Sequence, residues 1–229
     1  MIYLKTYKEI DIMRESAMLV SRTHAELAKL VKPGVTSLYL DRIAEEFIRD
    51  NGGIPAFKGY NDFPNTLCIS QDSEVVHGIP SKKELSEGAI VSIDCGVLMN
   101  DFYGDSAYTY AVGNISNEKN KLLTITKEAL NKGVEAAICG NNIGDIGYAI
   151  QNYAESFGYS VVRELVGHGI GKGLHEEPEV PNYGVKGSGK LLESGMVIAI
   201  EPMINMGLAG VVQKNDGWTI VTKDGLPSA

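Results

Sequence analysis

Two of the chain's four histidines, His168 and His175, stand seven residues apart in the stretch VGHGIGKGLHEEP, which runs from Val166 to Pro178. Imidazoles followed at once by carboxylates are groups for proton transfer or metal ligation. A helix would set both rings on one face, but Gly167, Gly169, Gly171 and Gly173 make a helix costly there. The segment reads as a strand end and loop. It is either a solvated surface loop or backbone thinned so that something can approach closely, and acids elsewhere in the chain bear on the choice.

The stretch AIVSIDCGVLMNDFYGDSAYTYAV, from Ala89 to Val112, is two apolar-rich runs around a polar break and reads as a β-hairpin. With the turn centred on Met99 and Asn100, Asp94 stands directly opposite Asp105 on one face, with Cβ atoms about 5 Å apart. Two carboxylates so placed in an apolar sheet destabilise it unless they share a proton or hold a cation. A bulge that turns one of them to solvent is the other reading. A third acid, Glu201, ends the apolar run MVIAIEP, residues 196–202, which reads as a buried strand stopped by Pro202. Two aspartates, a glutamate and one histidine make a set of oxygen ligands with one nitrogen. It suits Mn, Fe, Co or Zn at a working site better than a structural zinc cage.

Elements that could position these groups alternate along the chain. Ile10, Met13, Ala17, Val20, His24, Leu27 and Val31 step by three and four, the stripe of a long amphipathic helix closed by Pro33 and Gly34. His24 lies on that stripe and reads as a packed, hydrogen-bonded residue rather than a ligand. Thr36 caps a second helix with Leu40, Ile43, Ala44, Phe47 and Ile48 inward, ending at Gly52 and Gly53. Residues 121–158 resemble this unit: a shift of 106 positions lays Gly34 on Gly140, Leu40 on Ile146, Phe47 on Tyr153 and Gly52 on Gly158. An internal duplication would let two halves pack about a pseudo-twofold axis, with a site drawing on both. No Pro/Ser-rich linker separates the halves, so one domain over residues 1–229 is expected.

At 229 residues and 44% hydrophobic content, the chain can bury a large core. A net charge of −8 argues against a nucleic-acid or anionic-membrane surface. Cys68, Cys95 and Cys139 form neither a disulfide framework nor a C-x-x-C pattern and fit reduced thiols in the cytoplasm. No leader pattern and no run of about 18 apolar residues is present.

The segments EVVHGIP (Glu74 to Pro80), IDCGVLMNDFYGD (Ile93 to Asp105), GHGIGKGLHEEP (Gly167 to Pro178) and IEPM (Ile200 to Met203) resemble, in order, the signature segments of the type I methionine aminopeptidase family. The likeness runs from the first helix to the last residue. It implies a pita-bread fold of the α+β class: pseudo-twofold halves, a curved antiparallel sheet with helices on its outer face, and two divalent metal ions in the middle. By this resemblance Asp94, Asp105, His168 and Glu201 match metal ligands, Glu201 also serves in catalysis, and His77 and His175 contact substrate. Tyr60, Phe63, Cys68, Leu174 and Trp218 match the methionine-side-chain pocket, with Leu174 where the family often has an aromatic. An apolar, sulfur-tolerant cleft suits a thioether.

The resemblance further implies a cytoplasmic monomer that acts on nascent chains beginning with methionine, with the ribosome as a neighbouring partner. It breaks at the end. In the family a Gln-x-Glu-His-Thr strand follows the Ser-Ala pair that stands here at Ser228 and Ala229, and its glutamate bridges both metals. Either the sequence is cut short of that strand, which is the expectation because the match holds up to Ala229, or the protein lacks a bridging ligand and an inner strand; the only acids after Glu201, Asp216 and Asp224, lie in glycine turns. Two other readings remain: a prolidase or X-Pro aminopeptidase of the same fold, and a pita-bread binding protein that has lost catalysis.

Overall fold

Two helices open the chain, each with a side-chain cap. In the computed structural model, which describes residues 1–229, Thr6 Oγ1 accepts from the Glu9 N–H while the Glu9 carboxylate accepts from the Thr6 N–H. This reciprocal pair starts α1 (Tyr7–Ala28). Thr36 Oγ1 accepts from the Tyr39 N–H and starts α2 (Ser37–Asp50), as its sequence predicts. The strands that follow are β1 (Ile54–Pro55), β2 (Leu67–Gln71), β3 (Glu74–Val76), β4 (Ile90–Met99) and β5 (Phe102–Ala111). The second half brings α3 (Asn117–Ala136), α4 (Ile143–Ser156), β6 (Ser160–Val161), β7 (Gly167–Gly169), β8 (Glu176–Val180), β9 (Ile204–Asn205), β10 (Val211–Gln213) and β11 (Ile220–Thr222).

The offset of 106 holds in three dimensions. Helices α2 and α4 are both 14 residues long and start 106 positions apart, and β6 lies at the same offset from β1. Gly34 and Gly140 precede the paired helices at φ 82° and 94°; Gly52 and Gly158 end them at 79° and 83°. Each half has its own apolar core. Leu19, Leu27, Leu40 and Ile48 pack on Ile93 and Val97 in the first; Leu122, Ile146 and Ile150 pack on Val161 and Ile204 in the second.

Strand β4 is the spine of the first half. It pairs antiparallel with β5 along its whole length and with β2 and β1 at residues 91–95 and 97–98. Val91, Ile93, Cys95 and Val97 point into the first core, so alternation sends Ser92, Asp94 and Gly96 to the opposite face. The hairpin register differs from the expected one. The turn is Asn100–Asp101, both at positive φ (52° and 65°) as a mirror-image two-residue turn requires, and it pairs Met99 with Phe102. Asp94 therefore stands opposite Ala107, and Asp105 opposite Gly96. A slip of two residues preserves the face, so the carboxylates remain on one side as diagonal neighbours, and no bulge interrupts the ten pairs.

Two further expectations are corrected. Ala17 is exposed, and the buried row of α1 includes Ser16 and Leu19 instead. The Ser16 hydroxyl reaches the carbonyls of Met99 and Phe102 at the base of the hairpin (3.1 and 2.9 Å), which compensates its burial. Residues 196–202 are not a two-sided buried strand but a half-buried extended segment, laddered to β7 on one edge through His168–Ala199 and Ile170–Val197 backbone bonds. Its apolar continuity has another cause: Met196, Ile198 and Ile200 pack on the second core, while Val197 packs on the cluster that holds Leu174. His24 behaves as read, its ring nitrogens 3.0 Å from the Tyr110 hydroxyl and 2.8 Å from the Ser106 carbonyl.

Helix α1 lies on β5 with almost no side chain between them at Gly104, where a Cβ would come within 2.7 Å of Ala17 N and 2.8 Å of Ser16 C. Backbone cannot yield as a flexible side chain can. Gly104→Ala is expected to lower unfolding free energy by about 1–3 kcal/mol, read as a reduced urea midpoint at unchanged slope.

Candidate metal centre and substrate cleft

Four elements deliver the charged residues. Asp94 comes from β4, Asp105 from β5, His168 from β7 and Glu201 from the extended segment that β7 holds in place. His168 Nε2 lies 3.2 Å from Glu201 Oε1 and 3.7 Å from Asp105 Oδ2, and the His168 and Asp105 side chains are 9% and 7% exposed. The sequence-predicted set thus meets in one place. These are ion-pair rather than coordination distances, and no three His, Cys, Asp or Glu side chains stand at metal-binding spacing. What fits the residues to a cation is their electrostatics: Asp94 Oδ1 and Glu201 Oε1 are buried with no hydrogen-bond partner. The short contact from His168 to Glu201 lacks hydrogen-bond alignment. Two orphaned buried carboxylate oxygens, one of them 3.2 Å from His168 Nε2, are a donor set for a divalent ion.

The protonation balance makes the same point. Burial first, then the charges of Asp105 and Glu201, push the Asp94 carboxyl well above the usual carboxylate range. Glu201 is raised as well, again chiefly by burial. Burial alone would lower His168, but its contacts with Asp105 and Glu201 outweigh that and raise the imidazole to about 10. A proton on His168 thus occupies the middle of the cluster. His168 Nδ1 lies 2.8 Å from the Gly169 carbonyl, so it donates there and leaves Nε2 toward the acids, the orientation a metal-ligating histidine needs. The surrounding glycines serve the backbone more than a ligand. A Cβ at Gly167 would meet the Ala199 carbonyl oxygen at 2.3 Å, and one at Gly169 would meet that of Glu177 at 2.2 Å.

His175 lies across from His168, ring centroids 4.3 Å apart. Its Nδ1 is 2.8 Å from the Tyr60 hydroxyl, and burial, then the charge of His168, holds its pKa low. His77 also has a lowered pKa through burial and stands edge-on to Trp218. Its φ of 59° is strained for a side chain of this size. Gly78, whose Cβ would strike the Ile69 carbonyl at 2.2 Å, fixes it against β2. Tyr60, Phe63, Cys68, Leu174 and Trp218 all belong to one apolar cluster, with Phe63 edge-on to Trp218 at 5.1 Å. Cys68 pairs with Asp94 across β2 and β4, so pocket and acids share one face of the sheet. Burial, and then Asp94, raises the Cys68 thiol far enough to keep it uncharged.

Two supporting residues escaped sequence reasoning. Asn182 is fully buried and donates from Nδ2 to the Glu201 carbonyl at 2.8 Å. Asp41 accepts from the Thr66 and Leu67 N–H groups and from Asn65, which pins the start of the strand carrying Cys68. Asn182 lies in a stretch that reads as a loop, and Asp41 on a helix whose apolar stripe drew attention elsewhere. Asp216 and Asp224, as read, accept backbone N–H groups in turns.

Comparison with known proteins agrees with this geometry. Residues 11–224 match the model of metallopeptidase family M24. The chain is 53% identical to the methionine aminopeptidase of Clostridium acetobutylicum, over 98% of this chain and 90% of that protein. A crystal structure of methionine aminopeptidase from Rickettsia prowazekii superposes with a TM-score of 0.99 at 42% identity, covering 100% of this chain and 93% of that one. The prolidase of Pyrococcus furiosus also shares the fold, with a TM-score of 0.79 at 26% identity, but this chain covers only 64% of it.

A metal ion must displace the proton held by His168. Titration of the metal-free protein with Mn(II) near neutral pH is expected to release about one proton or more per ion, with affinity rising as pH climbs toward the His168 value of about 10. Calorimetry in buffers of different ionisation enthalpy checks this; equal heats in all buffers would show that His168 is already neutral.

Proposed function

The chain belongs to metallopeptidase family M24, and from that premise we propose that it removes the N-terminal methionine from newly made polypeptides by metal-assisted hydrolysis of the first peptide bond. The observation that supports this reading best is the junction of an acid-rich centre with an apolar, sulfur-lined cleft on one face of the sheet, with His175 at the border. The cleft takes the thioether side chain. The substrate's free α-amino group, as the neutral amine, would bind beside the metal-holding residues Asp94, Asp105 and Glu201, which limits cleavage to chain ends.

Metal dependence goes with the family. We assign the centre two divalent ions, of Mn, Fe, Co or Zn, held by Asp94, Asp105, His168 and Glu201. When bound, they supply Lewis acidity, lowering the pKa of water and polarising the scissile carbonyl. The remaining work falls to side chains. Glu201, with its raised proton affinity, takes the proton from the attacking water and passes it to the leaving amine. His175 is neutral. With the Tyr60 hydroxyl donating to Nδ1, its Nε2–H is free to donate to the oxygen on which charge develops. His77, held in its strained conformation, steadies the amide from the Trp218 side. We read residues 1–229 as one catalytic unit acting as a cytoplasmic monomer on nascent chains as they leave the ribosome. No helix is long and apolar enough to cross a membrane.

Supplied with Mn or Co, the protein carrying the family's Gln-x-Glu-His-Thr strand after Ala229 is expected to release methionine from a Met-Ala peptide and to leave an X-Pro peptide intact, while residues 1–229 alone should hold at most one ion tightly and turn over little. Preference for X-Pro would move it to the prolidase side of the family. Within the cleft, His175→Ala should lower kcat by about 100-fold or more with metal content unchanged, because its ring acts in the transition state. His168→Ala should instead lose metal. Metal analysis giving the reverse pattern would exchange the two roles.

A further inference from the structure

Glu176 follows His175 directly, yet nothing in the reaction uses it. Its Oε2 accepts from Lys5 Nζ at 2.7 Å, and its Oε1 accepts from the Gly173 backbone N–H at 2.8 Å. The Lys5 side chain is 1% exposed and that of Glu176 20%, so an ion pair between residues 171 positions apart is largely withdrawn from water. Such a pair is a poor source of stability, since desolvation cancels much of the attraction. Its strength is direction: a charged donor at a fixed point pulls a carboxylate to one place.

Lys5 is such a fixed point. Its backbone N–H donates to the Gly195 carbonyl at 2.7 Å, and a Cβ at Gly195 would come within 2.8 Å of the Lys5 carbonyl oxygen. The loop makes room for the lysine stem at Gly171, where a Cβ would lie 2.6 Å from Lys5 Cε and 2.7 Å from Glu176 Oε1. On its other side the loop is tied down by Tyr103 N–H donating to the Gly171 carbonyl at 2.8 Å. The segment between Gly171 and Glu176, which carries His175, is therefore clamped from both sides, and the only charged clamp is Lys5.

We propose that Lys5 and Glu176 are a positioning pair, through which the segment ahead of α1 straps the His175 loop and aims its imidazole across the cleft. The inference rests on the reading that His175 acts on substrate. Release of the strap leaves the metal ligands in place but lets His175 drift from Tyr60. A shift of this kind costs turnover rather than substrate binding, on the order of ten- to a hundredfold in kcat.

The test uses Lys5→Met, Glu176→Leu and the double variant in the full chain. Turnover of a Met-Ala peptide and bound metal are measured, together with the ¹⁵N–¹H imidazole signals of the metal-free proteins, His175 being assigned with His175→Gln. We expect both single variants to lose kcat with KM and metal content near wild type, and the double variant to be no worse than the poorer single one, because the two residues act as one unit. The His175 signals should shift or broaden while those of His24 stay in place. If a variant fails to fold, which loss of the His24 signals reveals, Glu176→Gln replaces it, with a smaller change in the same direction expected. His175 signals identical to wild type in Lys5→Met, or in that replacement, would overturn the proposal whether or not peptide is turned over. A wild-type protein carrying the strand after Ala229 and still inactive on Met-Ala would sink the functional reading, while the imidazole signals still judge the strap.

Discussion

The structure is organised around one electrostatic problem: three carboxylates, Asp94, Asp105 and Glu201, are gathered where little water reaches. Burial and the charges of the other two drive the Asp94 carboxyl well above the usual carboxylate range, which is the repulsion expressed as proton affinity. The chain meets it in two ways. His168 enters between Asp105 and Glu201 and carries a proton or a metal. The backbone beneath is made too stiff to relax the repulsion by moving. Strand β4 is bonded on both edges, and its inward side chains, Val91, Ile93, Cys95 and Val97, are fully buried against α1 and α2. Asp94 cannot turn away without drawing those four from the core.

The same constraint gives the duplication a chemical meaning. Asp94 and Asp105 belong to the first half, His168 and Glu201 to the second. Neither half alone has both the repelling acids and the group that offsets them. Each half is recognisable by the spacing of its helices, by its left-handed glycines and by a core of its own, but the centre exists only where the two meet. The apolar cleft also lies at this junction, since Cys68 and Phe63 come from one half and Leu174 and Trp218 from the other.

Local rules made much of this legible in the sequence. The cap at Thr36, glycine stops and an apolar stripe are decided within a few residues and place α2, and the shift of 106 positions carries that placement to α4. The hairpin shows where such rules reach their limit. Its face was predicted correctly and its register was not, because Asn100 and Asp101 both adopt positive φ and move the turn by one residue. The slip of two in pairing left Asp94 and Asp105 on the same side, so the chemistry survived the error. The apolar run before Glu201 misled for a different reason: a segment that fills two cores reads like a doubly paired strand. Asn182, Asp41 and Lys5 gave no local signal. Their partners lie 19 or more positions away, and only folding reveals them.

The paired histidines show how one residue type is divided between two tasks by its surroundings. His168 and His175 face each other at 4.3 Å, yet one is pushed up to about 10 by the acids beside it and the other is pushed down by burial and by its charged neighbour. The second shift comes from burial first and from the charge on His168 second. A proton on His168 puts positive charge beside His175, partly offset by Asp105, and a divalent ion that displaces this proton leaves positive charge in the same place. His175 is therefore neutral in either state, with its Nδ1 on the Tyr60 hydroxyl. The chain presents a neutral hydrogen-bond donor over the cleft without having to sense whether its centre is loaded.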